Sequence, residues 1–267
     1  MWVCGSYALE CTTPLIMGVV NLHPASFVKA DYRISVEASV SHALKMVEEG
    51  AAILDLGAEP THPSSLDKTI SAEEELARLL PVLRQLIPRI SVPISVDTSN
   101  AEVMRVVVEE GASIINDTRA LNEANALKEV AATKAGLCLM YRGGGNIQRA
   151  TQYLKDRANE CIRAGIAQER IVLDPGIGNG YFGKSTSENL AFLNQLSVLC
   201  AEGYPILVGV SRKTFIGDIL GIPPEERLAG SLAAIIVAYQ QGARVLRVHD
   251  VTPTVHALKI IQAIGTA

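Results

Sequence analysis

The chain has 267 residues, of which 48% are hydrophobic, together with 21 glycines and 12 prolines. This composition supports a large core with many chain reversals, and it excludes a disordered tail, a coiled coil and a disulfide-stapled miniprotein. The formal net charge of -4 and the aromatic content of 4% argue against a nucleic-acid-binding surface, so no nucleic acid partner is expected.

The five cysteines are widely spread and form no CxxC motif or Cys/His cluster. They are expected to be free thiols in a reducing compartment. No apolar run approaches the roughly 20 residues that a membrane helix needs, and the first residues lack the basic start and apolar stretch of a signal peptide. The expectation is therefore a cytoplasmic protein without membrane contact.

Eight short runs rich in Val, Ile and Leu recur along the chain. The predicted strands are Leu15 to Leu22, Ala52 to Gly57, Pro93 to Asp97, Ser113 to Asp117, Leu137 to Tyr141, Ile171 to Pro175, Pro205 to Ser211 and Val245 to Asp250. Most are apolar at consecutive positions, which is typical of strands covered on both faces. The intervening segments with helical period include Ser35 to Glu49, Ala72 to Leu86, Asn100 to Glu110, Glu188 to Glu202 and Ala229 to Gln241.

This alternation predicts parallel strands joined by crossover helices. Eight such units, without a linker or a shift in composition, favour an α/β fold that closes into a (β/α)8 TIM barrel over an open sheet. We expect residues 1–267 to form one domain. Residues 1–14 are expected to be a short N-terminal extension that packs on or near the barrel.

Polar residues end all eight predicted strands. They are Asn21, Asp55 with Glu59, Asp97, Asn116 with Asp117, Tyr141 with Arg142, Asp174, Ser211 with Arg212 and Lys213, and Arg247 with His249 and Asp250. Such strand ends converge on one mouth in a barrel, where ligands bind. One aspartate alone can be a helix cap or a turn former, as Asp97 or Asp117 could be. The whole set is hard to explain without a ligand, because converging charges add no stability unless they are paired.

Two groups of these residues suggest different ligands. Acceptors, an amide and a cation suit a flat heterocycle with N–H donors and ring acceptors, and this group is Asp97, Asn116, Asp174 and Lys213. The last and first strands, which are neighbours in a closed barrel, contribute Arg247, His249 and Asn21, which could hold a phosphate or pyrophosphate. Asn21 could also give an oxygen to a Mg2+ ion that bridges the anion. Alternatively, Arg247 pairs with Asp250, and His249 is a hydrogen-bonded packing residue.

Six ordered segments resemble the signature segments of the dihydropteroate synthase family. They are Ile16 to Asn21 with Pro24, Ser26 and Phe27; Ser95 to Ser99; Ile115 to Asp117; Asp174 to Gly176; Ser211 to Lys213; and Arg247 to Asp250. The resemblance covers nearly the whole chain. It implies an enzyme, a transferase, that condenses 6-hydroxymethyl-7,8-dihydropterin pyrophosphate with p-aminobenzoate in folate biosynthesis and releases pyrophosphate.

The resemblance also implies roles for single residues. The pterin-binding set is Asp97, Asn116, Asp174 and Lys213, of which Asp97, Asp174 and Lys213 are expected to act in catalysis. Arg247 and His249 are expected to bind pyrophosphate, and Asn21 is expected to bind Mg2+. The expected p-aminobenzoate contacts are Thr61, Ser211, Arg212 and Thr214. The family is commonly dimeric, and the apolar segment Ala229 to Gln241 is the expected contact surface of a homodimer.

Two loops depart from the family pattern. The loop after the first strand has Ala25 and Asp31 where the family has other residues, and both of its usual aspartates are missing. The loop after the second strand has His62 where the family has an arginine, which removes a bidentate anion clamp. The loop after Asp174 is about three residues longer, which leaves open whether Phe182 supplies the usual aromatic wall.

Three alternatives therefore stay beside the synthase. The chain could be a non-catalytic or altered-specificity pterin-binding paralogue that kept the pocket and lost the closing loops. It could be the pterin domain of a corrinoid methyltransferase, although Ser211 to Lys213 and Arg247 to His249 argue against a protein with no pyrophosphate to hold. It could also be a barrel enzyme for another phosphorylated small molecule.

Overall fold

The structure is a computed structural model that describes residues 1–22, 36–59 and 70–265. It begins with an antiparallel hairpin of β1 (Trp2–Cys4) and β2 (Tyr7–Leu9), two strands that the sequence pattern did not predict. Eight further strands lie in a single parallel sheet: β3 (Leu15–Asn21), β4 (Ile53–Gly57), β5 (Ile94–Asp97), β6 (Ile114–Asp117), β7 (Gly136–Met140), β8 (Ile171–Asp174), β9 (Leu207–Val208) and β10 (Val245–Val248).

The parallel sheet closes on itself. Its hydrogen-bonded order is β8-β7-β6-β5-β4-β3-β10-β9. A parallel bridge between Leu173 of β8 and Ile206, just before β9, joins the two ends of this order. The predicted TIM barrel is confirmed, and it forms one domain.

Helices cover the outside of the sheet. They are α1 (Val36–Glu48), α2 (Ala72–Leu86), α3 (Ala101–Glu109), α4 (Ala126–Ala131), α5 (Ile147–Arg163), α6 (Thr186–Asn194), α7 (Ser197–Cys200), α8 (Thr214–Leu220), α9 (Leu228–Gln240) and α10 (Val251–Gly265). No helix of the described ranges is long and apolar enough to cross a membrane. All five cysteines are free.

Two predicted elements differ from the structure. The segment Glu188 to Glu202 was expected to be one helix, but it is divided between α6 and α7. A capping box of Ser185 and Glu188 moves the start of α6 to Thr186. The strand predicted from Pro205 to Ser211 is only the two-residue β9, because the chain turns where the Lys213 N–H donates to the Val210 carbonyl, 3.3 Å away.

Side chains of the barrel strands alternate between two apolar clusters. One cluster lies between the strands and the helices. The other fills the amino-terminal end of the barrel and contains Met17, Ile53, Ile114, Cys138, Val172, Leu207 and Val245, each from a different strand. Trp2 of the hairpin belongs to this second cluster, is fully buried, and donates from Nε1 to the Arg170 carbonyl at 2.9 Å. The hairpin therefore helps to seal this end of the barrel with an apolar floor.

Candidate active site

The alternation of side chains along the strands places the polar residues directly above the apolar floor. Successive residues of a strand point to opposite faces, so a residue two positions after a floor residue also points into the barrel. Counting two positions from Ile53, Ile114, Cys138, Val172 and Val245 gives Asp55, Asn116, Met140, Asp174 and Arg247. On β5, Asp97 stands beside Gly57 and Asn116 in the register. A layer of charged and amide groups thus lies directly above the apolar floor.

Arg247 lies at the centre of this layer. Its Nε donates to Asp55 Oδ2 at 2.6 Å, and its NH2 group donates to Asp97 Oδ2 at 3.0 Å. Asn116 Nδ2 donates to the same Asp55 oxygen at 3.2 Å. Residues from the neighbouring strands β4, β5 and β6 are therefore connected to Arg247 of β10, which is separated from β4 by β3 alone. In the described part of the chain, Asp55 Oδ1 is a buried oxygen without a hydrogen-bond partner, as expected where water or a ligand completes a site.

Burial and nearby cations act in opposite directions on the carboxyl groups. Burial raises the pKa of Asp97 above its ordinary value, while the adjacent Arg247 lowers it. Burial likewise raises the pKa of Asp174, against the Gly176 N–H and the charges of Lys213, Lys184 and Arg247. The charged form of a buried carboxyl is costly without a partner. These cations therefore offset part of the effect of burial on the pKa of both aspartates.

Asp174 begins a glycine-containing loop whose backbone is fixed from two sides. Asp174 Oδ1 accepts the Gly176 N–H at 2.7 Å, and the buried Lys184 donates from Nζ to the Gly176 carbonyl at 2.9 Å. Gly176 has a φ of +66°, and a Cβ there would lie 2.0 Å from the Tyr141 carbonyl oxygen. Only glycine allows the backbone to pass this close to Tyr141.

Lys213 faces the same layer from the loop before α8. Burial lowers the pKa of its ammonium group, Asp174 raises it, and Arg247 lowers it further. The Lys213 ammonium lies 3.1 Å from the centroid of the Phe182 ring, so the longer loop does bring Phe182 to the mouth. The structure therefore brings together the four residues predicted for the heterocycle: Asp97, Asn116, Asp174 and Lys213.

Next to this cluster lies a second group around His249. The His249 Nδ1 and Ser211 Oγ are 3.1 Å apart, and the His249 backbone N–H donates to the same hydroxyl at 3.3 Å. The surrounding protein atoms, and then the positive charges of Arg247 and Arg212, lower the pKa of His249 below its ordinary value. His249 therefore offers a neutral imidazole at pH 7 in the free protein.

The alternative pairing of Arg247 with Asp250 is wrong. Asp250 accepts two hydrogen bonds from Arg212, at 2.9 Å from Nε and 2.6 Å from NH2. The backbone of Arg212 has a left-handed conformation, with a φ of +57°. This places its guanidinium on Asp250, so Arg212 is already neutralised, and Thr214 follows as the exposed first residue of α8.

Two strand-end aspartates that could have been caps differ in role. Asp117 accepts from the Ser99 hydroxyl and from the N–H groups of Arg119 and Leu121, at 2.5, 2.8 and 2.6 Å, so it organises the loop after β6. Asp97 does not cap α3, because the Asn100 side chain accepts from Glu102 and Val103 there. Asp97 instead accepts a hydrogen bond from Arg247.

The donor set at the mouth limits the kind of metal site. Asn21 is the last residue of β3 and is half-buried beside Gly57. Within residues 1–22, 36–59 and 70–265, no group of three His, Cys, Asp or Glu side chains could hold a metal ion. Mg2+ often keeps several waters and binds through one or two protein oxygens plus substrate phosphates. The half-buried amide of Asn21 fits an ion of that kind.

Several predicted features lie outside the described residues. They are the Thr61 contact and the loop departures at Ala25, Asp31 and His62.

Sequence reasoning noted Asp55 as a strand-end residue but left it out of the ligand-binding set. Its position two residues after the floor residue Ile53 is a signal that could have placed it inside the barrel. Lys184 had no such signal, because it stands ten positions after Asp174 in an irregular loop. Its contact with Gly176 depends on how that loop folds back.

The fold and the site define a pterin-binding barrel. The family model described as pterin binding enzyme matches residues 17–249, which span β3 to the end of β10. The chain is 41% identical to dihydropteroate synthase of Escherichia coli K12 over 96% of this chain and 93% of that protein. The identity to dihydropteroate synthase of Bacillus subtilis is 36%, with coverages of 93% and 88%.

Solved structures give the same result. The structure of Xanthomonas albilineans dihydropteroate synthase with 4-aminobenzoic acid has a TM-score of 0.91 and 42% identity, and covers 97% of this chain and 96% of its own. The Coxiella burnetii dihydropteroate synthase in complex with pteroic acid has a TM-score of 0.90 and 40% identity, with coverages of 99% and 98%. The chain belongs to the dihydropteroate synthase family.

Mutations in the two ion pairs at the mouth should lower the free energy of unfolding by different amounts. Asp55→Asn removes the charge of a fully buried group that holds both Arg247 and Asn116, and we expect it to lower the free energy of unfolding by about 1–3 kcal/mol. The matched control is Asp250→Asn, which breaks the partly exposed pair with Arg212 and should cost about 0–1 kcal/mol. Urea denaturation measures the loss of unfolding free energy in both variants. A loss in Asp55→Asn that is equal to or smaller than the loss in Asp250→Asn would contradict a central role for Asp55.

Proposed function

We propose that this barrel joins 6-hydroxymethyl-7,8-dihydropterin pyrophosphate to p-aminobenzoate, giving 7,8-dihydropteroate and pyrophosphate in folate biosynthesis. One observation carries the proposal. In a chain of the dihydropteroate synthase family, one connected layer of buried carboxylate, amide and guanidinium groups lies at the carboxyl ends of the strands. The chemistry of that layer matches both halves of the pterin ester.

The heterocycle is assigned to three strand-end residues and to Lys213 in the loop before α8. A pterin has a guanidine-like edge that donates N–H groups, and it has ring atoms that accept them. The Asp97 and Asp174 carboxylates suit the donors, whereas the Asn116 amide and the Lys213 ammonium can donate to the acceptors. Each of these groups is already fixed by a neighbour, so binding costs little ordering of side chains.

The pyrophosphate is assigned to Arg247, His249 and Asn21, on the adjacent first and last strands. Arg247 faces both assigned parts of the ester, because its guanidinium bonds to Asp55 and Asp97 and lies near His249. His249 can donate a hydrogen bond while neutral, and a bound anion would favour its protonated form. These groups stabilise the negative charge that develops on the leaving oxygen.

In the reaction, the bond between the pterin methylene carbon and the pyrophosphate oxygen breaks with its electron pair on the oxygen. The arylamine nitrogen then forms a bond to the methylene carbon and loses a proton. We assign to the carboxylates of Asp97 and Asp174 the stabilisation of positive charge on the pterin. Positioning and electrostatic stabilisation account for the acceleration, so a covalent nucleophile on the protein is not required.

We assign Mg2+ as the cofactor, with Asn21 as the residue that holds it beside the pyrophosphate. When held by Asn21, the ion would supply Lewis-acid stabilisation of the negative charge on the leaving group. The half-buried amide of Asn21 at the end of β3 supplies one oxygen, which agrees with the preference of Mg2+ for few protein ligands.

The p-aminobenzoate is assigned to the loop side of the mouth, at Ser211, Arg212 and Thr214, with Thr61 as a further contact. Ser211 bonds to His249 and Arg212 bonds to Asp250, so this side is connected to the pyrophosphate side through β10.

The five free thiols fit a reducing compartment, and we assign the enzyme to the cytoplasm.

Turnover separates the synthase from a non-catalytic pterin-binding paralogue. We expect steady-state release of pyrophosphate from pterin pyrophosphate plus p-aminobenzoate. Asp174→Asn should weaken binding of the bare pterin about 10- to 100-fold in calorimetry, since a charge-assisted hydrogen bond is lost. Asp156→Asn, on the exposed face of α5, is the control and should change neither quantity. Pterin binding without pyrophosphate release would identify a paralogue that only binds.

Binding of the intact pterin ester tests the Mg2+ assignment. Mg2+ should strengthen its binding to the wild-type protein, and Asn21→Ala should weaken the ester about tenfold in the presence of Mg2+ without changing affinity for the bare pterin. His249→Gln should weaken the ester and keep its dependence on Mg2+. The readout is a calorimetric titration with and without the ion, and an unchanged Mg2+ dependence in Asn21→Ala would reject the role of Asn21.

The protein is proposed to form a homodimer through an apolar groove between α6, α8 and α9. Exposed apolar side chains of the groove are Leu190, Ile219, Leu220 and Val237. α9 itself contains no charged residue from Leu228 to Gln240, so its outer face is poorly suited to water. A second copy of the chain is the occupant that we assign, with the two α9 helices near the contact.

Light scattering after size-exclusion chromatography tests the dimer. The wild-type protein should elute with twice the mass of one chain, and Val237→Glu should shift it to one chain, because a charge is placed in a desolvated interface. Ile260→Glu changes another exposed apolar residue, on α10 and outside the groove, and should leave the dimer intact. A monomeric wild-type protein, or a dimer that tolerates Val237→Glu, would contradict the assignment.

A further inference from the structure

Four side chains from three loops form a continuous row of cations and aromatic rings across the mouth of the barrel. The guanidinium carbon of Arg142 lies 3.9 Å from the centroid of the Tyr181 ring. The Tyr181 ring meets the Phe182 ring edge to face, at 5.5 Å and 84°. The Lys213 ammonium lies 3.1 Å from the centroid of the Phe182 ring. We call Arg142, Tyr181, Phe182 and Lys213 the aromatic row.

The outer half of the aromatic row is anchored by hydrogen bonds. Arg142 Nε donates to the Tyr181 carbonyl at 2.9 Å, so the guanidinium contacts both the backbone and the ring of one residue. The hydroxyl groups of Tyr181 and Thr118 are 2.9 Å apart, which ties the ring to the loop after β6. The Gly143 N–H donates to the Phe182 carbonyl at 3.1 Å. The loops after β6, β7 and β8 therefore hold this segment together.

The inner half of the row depends on Gly178. A Cβ at Gly178 would lie 2.5 Å from Phe182 Cδ2 and 3.0 Å from the Lys213 Nζ. The Gly178 N–H donates at 2.7 Å to Oδ1 of Asn189, which is fully buried. Phe182 thus packs closely against Gly178, where a side chain would leave no room for the ring, and it also contacts Lys213.

We propose that Arg142 and Tyr181 are positioning residues that fix the Phe182 ring as a wall of the p-aminobenzoate pocket. The inference rests on the proposed function, which assigns Lys213 to the pterin and its neighbours Arg212 and Thr214 to the arylamine. Phe182 contacts Lys213, which stands between Arg212 and Thr214 in the chain. Neither Arg142 nor Tyr181 belongs to the assigned substrate-binding set, so each acts through Phe182.

Arg142 and Tyr181 would act by restricting the Phe182 ring to one orientation. Arg142 over Tyr181 is a cation–π contact, and Tyr181 against Phe182 is an edge-to-face pair, both of which favour one ring orientation. Phe182 can then offer a preformed apolar face to a benzene ring, and the arylamine need not order that side chain on binding. Three of the four residues assigned to the pterin, Asp97, Asn116 and Asp174, end strands, so pterin binding depends on this ring only through Lys213.

Steady-state kinetics with each substrate varied in turn tests the proposal. Tyr181→Ala should raise the KM for p-aminobenzoate about five- to tenfold, from the loss of an aromatic pair and a cation–π contact, and leave the KM for the pterin ester within about twofold. Arg142→Ala, a change at an exposed side chain, should raise the same KM about two- to fivefold. Tyr181→Phe keeps the ring but loses the hydroxyl contact with Thr118, so its KM for p-aminobenzoate should lie between those of the wild type and Tyr181→Ala.

The matched control is Tyr239→Ala, which removes a tyrosine that contacts Arg244 at the amino-terminal side of β10. It should leave both KM values unchanged. Equal increases of both KM values in Tyr181→Ala and Arg142→Ala, or no increase in either variant, would overturn the proposal while wild-type turnover still supports the proposed function. Absence of turnover in the wild-type protein would instead overturn the proposed function, and this inference with it.

Discussion

The structure of the site depends on one buried guanidinium. Arg247 of β10 extends past β3 and bonds to Asp55 of β4 and Asp97 of β5, while Asn116 of β6 shares the Asp55 oxygen. A charge in such a place is tolerated only with partners, and each partner here needs Arg247 in return. The pterin-binding and anion-binding groups therefore cannot be arranged independently. Removing Asp55 alone would disturb residues assigned to both halves of the ester.

The apolar floor below this layer strengthens its electrostatics. Met17, Ile53 and Val172 are among the residues that fill the barrel end, and Trp2 closes it from outside the ring of strands. Water is kept from the lower side of the carboxylates, so their interactions with Arg247, Lys184 and Lys213 are stronger than at an open surface. Burial away from water also raises the pKa of Asp97 and Asp174 and lowers the pKa of Lys213. The hairpin at the start of the chain thus supports the site without touching it.

The sequence was sufficient for the barrel and for most strand-borne site residues, because the polar groups recur at strand ends and the strands alternate with helices. It was insufficient where position depends on loop geometry. Phe182 could not be placed because the loop after Asp174 is lengthened, and Lys184 returns to Gly176 through a path that no periodicity encodes. The pairing of Arg212 with Asp250 was also missed, since the left-handed backbone at Arg212 redirects its side chain. Asp55 is the exception, because alternation from Ile53 was enough to find it.

These differences follow from a division between strand and loop. Three of the four residues assigned to the pterin end strands whose positions are set by the hydrogen bonds of the barrel, and the fourth, Lys213, lies in the loop before α8. Residues assigned to the arylamine, together with Phe182, lie on loops whose geometry is set by contacts such as that between Arg142 and Tyr181. Loops tolerate changes of length that strands do not. Recognition of the second substrate can therefore vary within this fold while recognition of the pterin stays fixed, because only the loop-borne half can change without displacing Arg247.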